Sequence, residues 1–255
     1  MSKAGAQRSA GAGASGAQRV DVALVARGHF DSRAQAQAAI AAGLVTAGGK
    51  PVTRPATPVS AEIELMAAAP HPYVSRGGVK LAAALDRFNI APAQRVCLDV
   101  GASTGGFTDV LVRRGARRVY AVDVGHGQLH ARLRGDARVV DMERRDARTL
   151  VPGDFDEAPS LVAFDTSFIS LRLVLAPVLA LAAPGAVCIA LVKPQFEVGR
   201  AALSKGIVRD AAARERACDS IAAVLAGLGW RVVGTMESPI AGGDGNREFL
   251  IGATR

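Results

Sequence analysis

Four polar residues stand in apolar or glycine-rich settings where a charge calls for a reason: Lys80 in YVSRGGVKL, Asp165 in AFDTSFISL, Lys193 in LVKPQF and Glu248 in NREFL. Two ammonium groups and two carboxylates brought together can lower the cost of deprotonating a hydroxyl such as that of a ribose. In this arrangement Lys193 is nearest the hydroxyl, as general base or as the partner of a developing alkoxide. Asp165 and Glu248 orient it, and Lys80 sets the electrostatics that let it lose a proton. An unperturbed lysine titrates near about 10.4, so base catalysis near neutral pH requires burial beside a second cation. Singly, Lys80 and Glu248 read as surface charges and Asp165 as a turn cap. Jointly, with two of them at expected strand ends, the catalytic reading is ahead.

A second constellation lies between them. The apolar run VCLDV, Val96–Val100, leads directly into GASTGGFTDVLVRRG, whose Gly101, Gly105 and Gly106 open a helix. About twenty residues on, the run RRVYAVDVG carries Asp123, the spacing of a carboxylate that accepts the ribose hydroxyls of a nucleoside cofactor. The turn lacks the strict GxGxxG order of dinucleotide sites, and Asp99 sits inside the strand end. Carboxylates favour a cationic sulfonium with its ammonium group and repel a pyrophosphate, so S-adenosylmethionine is favoured over a dinucleotide, which stays possible. The candidate cofactor residues are Asp99, Gly101, Ser103, Thr104, Gly105, Gly106, Phe107, Asp123 and Asp146. Phe107 packs either under the cofactor or in the core, and Asp146 either meets the adenine amino group or caps a helix.

The elements that must position these residues alternate. Expected strands are Arg95–Val100, Val119–Asp123, Ala137–Asp141, Leu161–Asp165, Ala186–Val192, Trp230–Met236 and Glu248–Gly252, with a helix over Arg76–Phe88 carrying Lys80. Strands separated by helices imply an α/β fold with a parallel doubly wound sheet, and the last pair, lacking an intervening helix, implies one antiparallel strand. Ligands of such sheets bind beyond the carboxyl ends of the strands, where Gly101, Asp123 and Asp165 fall.

Upstream the pattern differs. Residues 1–18 are rich in Ala, Gly, Ser and Gln and read as a disordered tail. From Arg19 apolar residues recur at helical spacing, Asp31 or Ser32 caps SRAQAQAAIAAG, and LVTAGGKPV and VSAEIELM read as strands. Residues 19–66 resemble an S4 (α-L type) RNA-binding domain through Arg19, Asp21, Ser32, Arg33, Gln37, Gly43 and Val45, with Ala47-Gly48 where such domains usually carry Asn-Gly. Candidate RNA contacts are Arg19, Arg33, Lys50 and Arg76, residues 67–75 form a Pro-containing linker, and 76–255 the catalytic domain.

Composition agrees. The 255 residues carry a net charge of +8 and are 49% hydrophobic, which suits a sizeable core and a polyanionic partner. Three cysteines without CxxC spacing, Cys97 and Cys188 in apolar runs, read as reduced thiols in a cytoplasmic protein. His126 and His130 lie four apart without the glutamate of HExxH, so no metal site is expected. Arg113, Arg114, Arg117 and Arg118 either track an RNA backbone or form a solvated face. Leu173–Val192 is uncharged over the length of a membrane helix, but Pro177, Pro184 and Gly185 divide it into a helix and a strand.

The stretches SRGGVKL, LDVGASTGGFTDVL, AVDVGHGQL, FDTSFISL and LVKPQFEVG together resemble the TlyA (haemolysin A) family of rRNA 2'-O-methyltransferases, over residues 19–255. The resemblance implies an S4 domain ahead of an FtsJ-like catalytic domain with a Rossmann-like seven-stranded methyltransferase sheet. It also implies S-adenosylmethionine-dependent methylation of a cytidine ribose in ribosomal RNA, with ribosomal RNA or ribosomal subunits as partner and no membrane. Family members have a longer form acting on both subunits and a shorter one acting on the large subunit. The chain stops at IGATR, just after the Glu248 strand, and resembles the shorter form. The family's haemolysin label keeps a membrane-active protein as an alternative, and an RNA-binding module without catalysis is another.

Overall fold

The computed structural model describes residues 17–199, 202–242 and 244–255. The expected tail lies outside the described residues save Ala17 and Gln18, and Gln18 pairs in a short antiparallel ladder with Val59. The chain divides into two compact units, one up to Pro72 and one over Tyr73–Arg255.

In the first unit, helices Val20–Ala26 and Arg33–Ala41 pack their apolar faces, Val20, Ala23, Leu24, Ala36, Ala39 and Ile40, around Phe30 and Val45. Ser32 is the cap of the second helix, its Oγ accepting from Gln35 N at 3.3 Å. Gly48 and Gly49, at φ 55° and 73°, turn the hairpin between Val45–Ala47 and Lys50–Pro51. The expected strand through VSAEIELM breaks in two. Pro58–Val59 pairs with Gln18–Arg19 while Leu65–Ala67 pairs with Val45–Ala47. Between them Arg27 holds the carbonyls of Ser60 and Ile63 at 2.9 and 2.5 Å, so those residues turn.

The second unit is one seven-stranded sheet. Its strands are β1 (Val96–Val100), β2 (Arg118–Val122), β3 (Val139–Met142), β4 (Leu161–Phe164), β5 (Val187–Val192), β6 (Arg231–Glu237) and β7 (Phe249–Thr254). The order is β6-β7-β5-β4-β1-β2-β3. β1 to β5 are parallel where they pair, and β7 runs antiparallel to both neighbours. The third strand begins two residues later than the sequence suggests, because a turn through Asp136, whose Oδ1 accepts from Arg138 N, precedes it.

Side chains alternate across this sheet, which separates two cores. Val96, Leu98 and Val100 face one layer with Val162, Phe164 and Ala190. Cys97, Leu161, Ala163 and Ile189 face the other, under α1 (Gly77–Arg87) and α2 (Gly106–Arg113). Leu81, Ala84 and Leu85 of α1 pack there against Phe107, Val110 and Leu111 of α2. Burial pushes the Cys97 and Cys188 thiols up to about 12, which leaves them inert.

The uncharged run Leu173–Val192 resolves into the end of a 3-10 turn (Leu171–Leu173), a short helix over Leu175–Leu179 and β5. Among the described residues no helix is long and apolar enough to cross a membrane.

Candidate active site

Sheet topology explains how four distant residues converge. Asp165 follows β4 and Lys193 follows β5, so both leave the carboxyl edge of parallel strands. Glu248 immediately precedes β7. Because β7 is antiparallel to β5, with Phe249 opposite Val192, its first residues lie at that same edge. Lys80 comes from the first turn of α1.

The four side chains border one cleft of about 530 Å³, and they form two ion pairs. Lys80 Nζ donates to Glu248 Oε2. Lys193 Nζ lies 2.7 Å from Asp165 Oδ1 and donates to Ser167 Oγ at 2.7 Å. Lys80, Lys193 and Glu248 are buried, and Asp165 is partly open to the cleft. Glu248 therefore touches Lys80, not Lys193 as the sequence suggests: each lysine takes its own carboxylate. That arrangement follows from cost, since a buried charge without a partner is far less stable than a paired one.

A second cleft, of about 450 Å³, meets the first at Gly101, Ser103, Asp165, Ser167 and Phe168. Gly101, at φ 86°, brings the turn after β1 against β4; a Cβ there would stand 2.7 Å from the Asp165 carbonyl oxygen. Asp123 lines this second cleft. Its Oδ2 accepts from Ser103 N at 2.8 Å and its Oδ1 from Gly125 N at 2.7 Å. Each oxygen keeps a lone pair for a further donor. Asp146 lines it too, and the capping role foreseen for it is present. It caps the turn Ala147–Thr149 through Arg148 N at 2.9 Å, and its ion pair with Arg148 holds the carboxyl below the usual range.

Gly106 and Phe107 lie at the start of α2 and, with Thr104, line the first cleft instead of the second. Phe107 is simultaneously a core residue. Gly105, at φ 93°, caps α2. Asp99 lines neither cleft: it faces α2, is 0% exposed, and accepts from Thr108 Oγ1 at 2.6 Å. Its Oδ1 has no hydrogen-bond partner among the described residues. Burial pushes this carboxyl up to about 7.

Arg76 is exposed at the rim of the first cleft. In the N-terminal unit Lys50 is exposed on the hairpin. Arg19 and Arg33 stand half exposed, each 3.0 Å from the fully buried Asp21, which also accepts from Gln37 Nε2 at 2.8 Å. These pairs hold the Asp21 carboxyl far below its ordinary range, Arg19 contributing most. Arg113, Arg114, Arg117 and Arg118 pair with Asp109, Asp86, Glu157 and Asp156. His126 Nδ1 lies 2.9 Å from Glu143 Oε2.

Sequence reasoning missed Ser167, Phe168 and Phe196. Ser167 shares Lys193 with Asp165. Phe168 is 91% exposed on the lip where the clefts meet, in the left-handed region at φ 64°, its ring centroid 5.4 Å from that of Phe196. An aromatic residue there is uncommon and strained by about 1–3 kcal/mol. The signal was their place within the motifs already quoted, FDTSFISL and LVKPQFEVG.

A glycine turn after β1, an acid beyond β2 and a sheet of this order define a Rossmann-like methyltransferase. The model for FtsJ-like methyltransferases matches residues 73–255, and that for the S4 domain residues 18–64. The chain is 46% identical over 236 residues to the 16S/23S rRNA (cytidine-2'-O)-methyltransferase TlyA of Mycobacterium tuberculosis, covering 91% of this chain and 88% of the relative. To the 23S rRNA (cytidine-2'-O)-methyltransferase TlyA of Campylobacter jejuni it is 38% identical over 180 residues, 70% of this chain and 69% of the relative. A solved structure assigned as a hemolysin from Streptococcus thermophilus is 42% identical, with a TM-score of 0.75 over 95% of this chain and 90% of that one. The chain belongs to the TlyA (haemolysin A) family of FtsJ-like methyltransferases carrying an S4 domain.

Proposed function

We propose that the protein transfers a methyl group from S-adenosylmethionine to the 2'-hydroxyl of a cytidine in ribosomal RNA, in the cytoplasm, on the large subunit. One observation carries the chemistry: two buried lysine–carboxylate pairs border a cleft that joins a second, acid-lined cleft beside the β1 turn. The nature of the base and of the RNA rests on the activities for which the two relatives are named, which have the 23S cytidine in common.

The second cleft fits a nucleoside sulfonium. Asp123 keeps acceptor capacity for the two ribose hydroxyls, Asp146 stands ready for the adenine amino group, and both acids favour a cation. Gly101 and Ser103 line this cleft, Gly101 letting the backbone approach a ligand there; Thr104, Gly105 and Gly106 complete the turn into α2, which Phe107 supports from the core. The bound sulfonium supplies an electrophilic methyl carbon.

In the first cleft the target ribose lies with its 2'-hydroxyl at Lys193. Asp165 and Ser167 fix the Lys193 amine, which, once its own proton has passed to Asp165, takes the hydroxyl proton as the oxygen bonds to the methyl carbon and the donor sulfur leaves as a neutral thioether. Lys80 and Glu248 border the same cleft as an ion pair, so Lys193 is the amine left to face the reacting oxygen. The exposed ring of Phe168 offers a stacking surface to a nucleotide drawn out of its helix. Arg76 at the cleft rim, and Arg19, Arg33 and Lys50 in the S4 domain, meet phosphates.

The test is methyl transfer from labelled S-adenosylmethionine to ribosomal subunits that lack the modification, followed by mapping of the product. Incorporation at a cytidine 2'-oxygen of the large-subunit RNA is expected. Methylation of a base atom, or of the small subunit alone, sinks the reading. A protein lacking residues 1–72 should still bind the cofactor and methylate rRNA poorly; full activity without them removes the docking role of the S4 domain.

A further inference from the structure

The loop that leaves β4, residues 165–171, carries Asp165, Ser167 and Phe168, all on the clefts, yet it contains little regular structure before the 3-10 turn at Leu171. The segment that leaves β5, residues 193–197, runs beside it and touches it at three levels. Lys193 holds Asp165 and Ser167 at its start. Phe196 packs on Phe168 in its middle. Glu197 closes its end: Oε2 accepts from Ser170 Oγ at 2.6 Å, and Oε1 accepts from Leu171 N at 2.8 Å.

Glu197 is not explained by cofactor or hydroxyl chemistry. Its side chain is 1% exposed, and it lines neither cleft. The nearest cation, Arg172 Nε, stands 3.8 Å away, beyond hydrogen-bonding reach. A carboxylate taken out of water this fully is retained only where its acceptor sites are used, and both known donors belong to the far end of the β4 loop. One donor is the first backbone N–H of the 3-10 turn, the position at which an anion best complements the exposed amides. Meanwhile Phe168 occupies a left-handed conformation that an isolated loop would relax. Something must hold the loop at both ends, and Lys193 and Glu197 are the two clamps.

We infer that Glu197 is a positioning residue for the methyl transfer proposed above: by anchoring Ser170 and Leu171 it keeps the β4 loop folded, so that Ser167 meets Lys193 and Phe168 faces the incoming nucleotide. It acts through these residues and touches no reacting atom. Glu197→Gln keeps an oxygen for Leu171 N, whereas Glu197→Ala leaves both donors without it.

The experiment compares the full-length protein with Glu197→Ala and Glu197→Gln by two independent readouts, amide hydrogen exchange and single-turnover methylation of large subunits at saturating cofactor, well below the melting temperature. Exchange needs no substrate, so it reads the clamp even if the proposed reaction fails. In Glu197→Ala exchange should rise by about tenfold or more in peptides spanning 165–172 and stay unchanged in β1 and β2. The methylation rate per folded molecule should fall by about 10²-fold, since small misplacements of reacting groups cost that much, and Glu197→Gln should recover most of it. Unchanged exchange over 165–172 overturns the inference. So does faster exchange with an undiminished methylation rate, which makes the contact structural only. A parent protein inactive on rRNA refutes the proposed reaction, and exchange then decides the clamp alone.

Discussion

The two clefts that meet at Gly101 hold their charges by different means. Around the first, the four tetrad charges are matched by side chains from distant parts of the chain: Lys80 with Glu248, 168 positions away, and Lys193 with Asp165, 28 away. Around the second, Asp123 is held by backbone amides, those of Ser103 and Gly125, while Asp146 takes both the amide and the guanidinium of Arg148. The difference suits what each must do. Backbone amides fix a carboxylate without cancelling its charge, which leaves it available to a cationic ligand. Side-chain pairs cancel charge at rest, so a proton can move between partners at little cost to the surroundings.

The sharpest way to break this comparison is Lys193→Ala. It should lower methyl transfer by about 10³-fold or more while cofactor affinity, measured by calorimetry, stays close to the parent's. Near-parental turnover removes Lys193 from the chemistry. Loss of cofactor binding instead means the two clefts are not separable.

Next is Asp123→Ala, which should do the reverse. Losing an acceptor for both ribose hydroxyls should weaken cofactor binding by about 10- to 100-fold, with turnover at saturating cofactor largely preserved. Its two backbone donors would be left exposed to the cleft, where water can reach them. Unchanged affinity moves the cofactor's ribose elsewhere.

This division also marks what the sequence could tell. Asp123 was legible because its spacing from the glycine turn is set by one strand–helix–strand unit, a local quantity. The tetrad was legible as a set of residue types, but its pairing was not. Which carboxylate meets which lysine depends on β7 entering between β5 and β6 and running backwards, so that Glu248 arrives at the edge from the opposite chain direction. The boundary of β3 and the break at Ser60–Ile63 were hidden for a related reason: each is decided by a side chain or turn that competes with an alternating pattern. Phe168 was hidden because nothing in a Ser-Phe-Ile run reveals a left-handed backbone.

The last prediction concerns Asp99, which stands between the two modes: it has no cation partner and is held by Thr108 alone, through Oγ1 at 2.6 Å and the backbone N–H. With the carboxyl pushed up to about 7 by burial, the folded protein keeps a proton that the unfolded chain releases near about 3.9. Between those values the unfolded state binds fewer protons, so this group makes stability fall as pH rises, levelling off above about 7. Asparagine cannot ionise and retains an oxygen for Thr108. Asp99→Asn should therefore remove that slope and gain about 1–3 kcal/mol relative to the parent at pH 8, with equal stability near pH 4. Because Asp99 lines neither cleft, cofactor affinity at neutral pH should change far less than in Asp123→Ala. Melting temperatures of both proteins across that range, with calorimetry at pH 7, check both halves. Parallel melting profiles would mean that Asp99 is ionised in the fold and partnered by a charge. A loss of affinity matching that of Asp123→Ala would make it a cofactor ligand after all, and the line between the two clefts would have to be redrawn through β1.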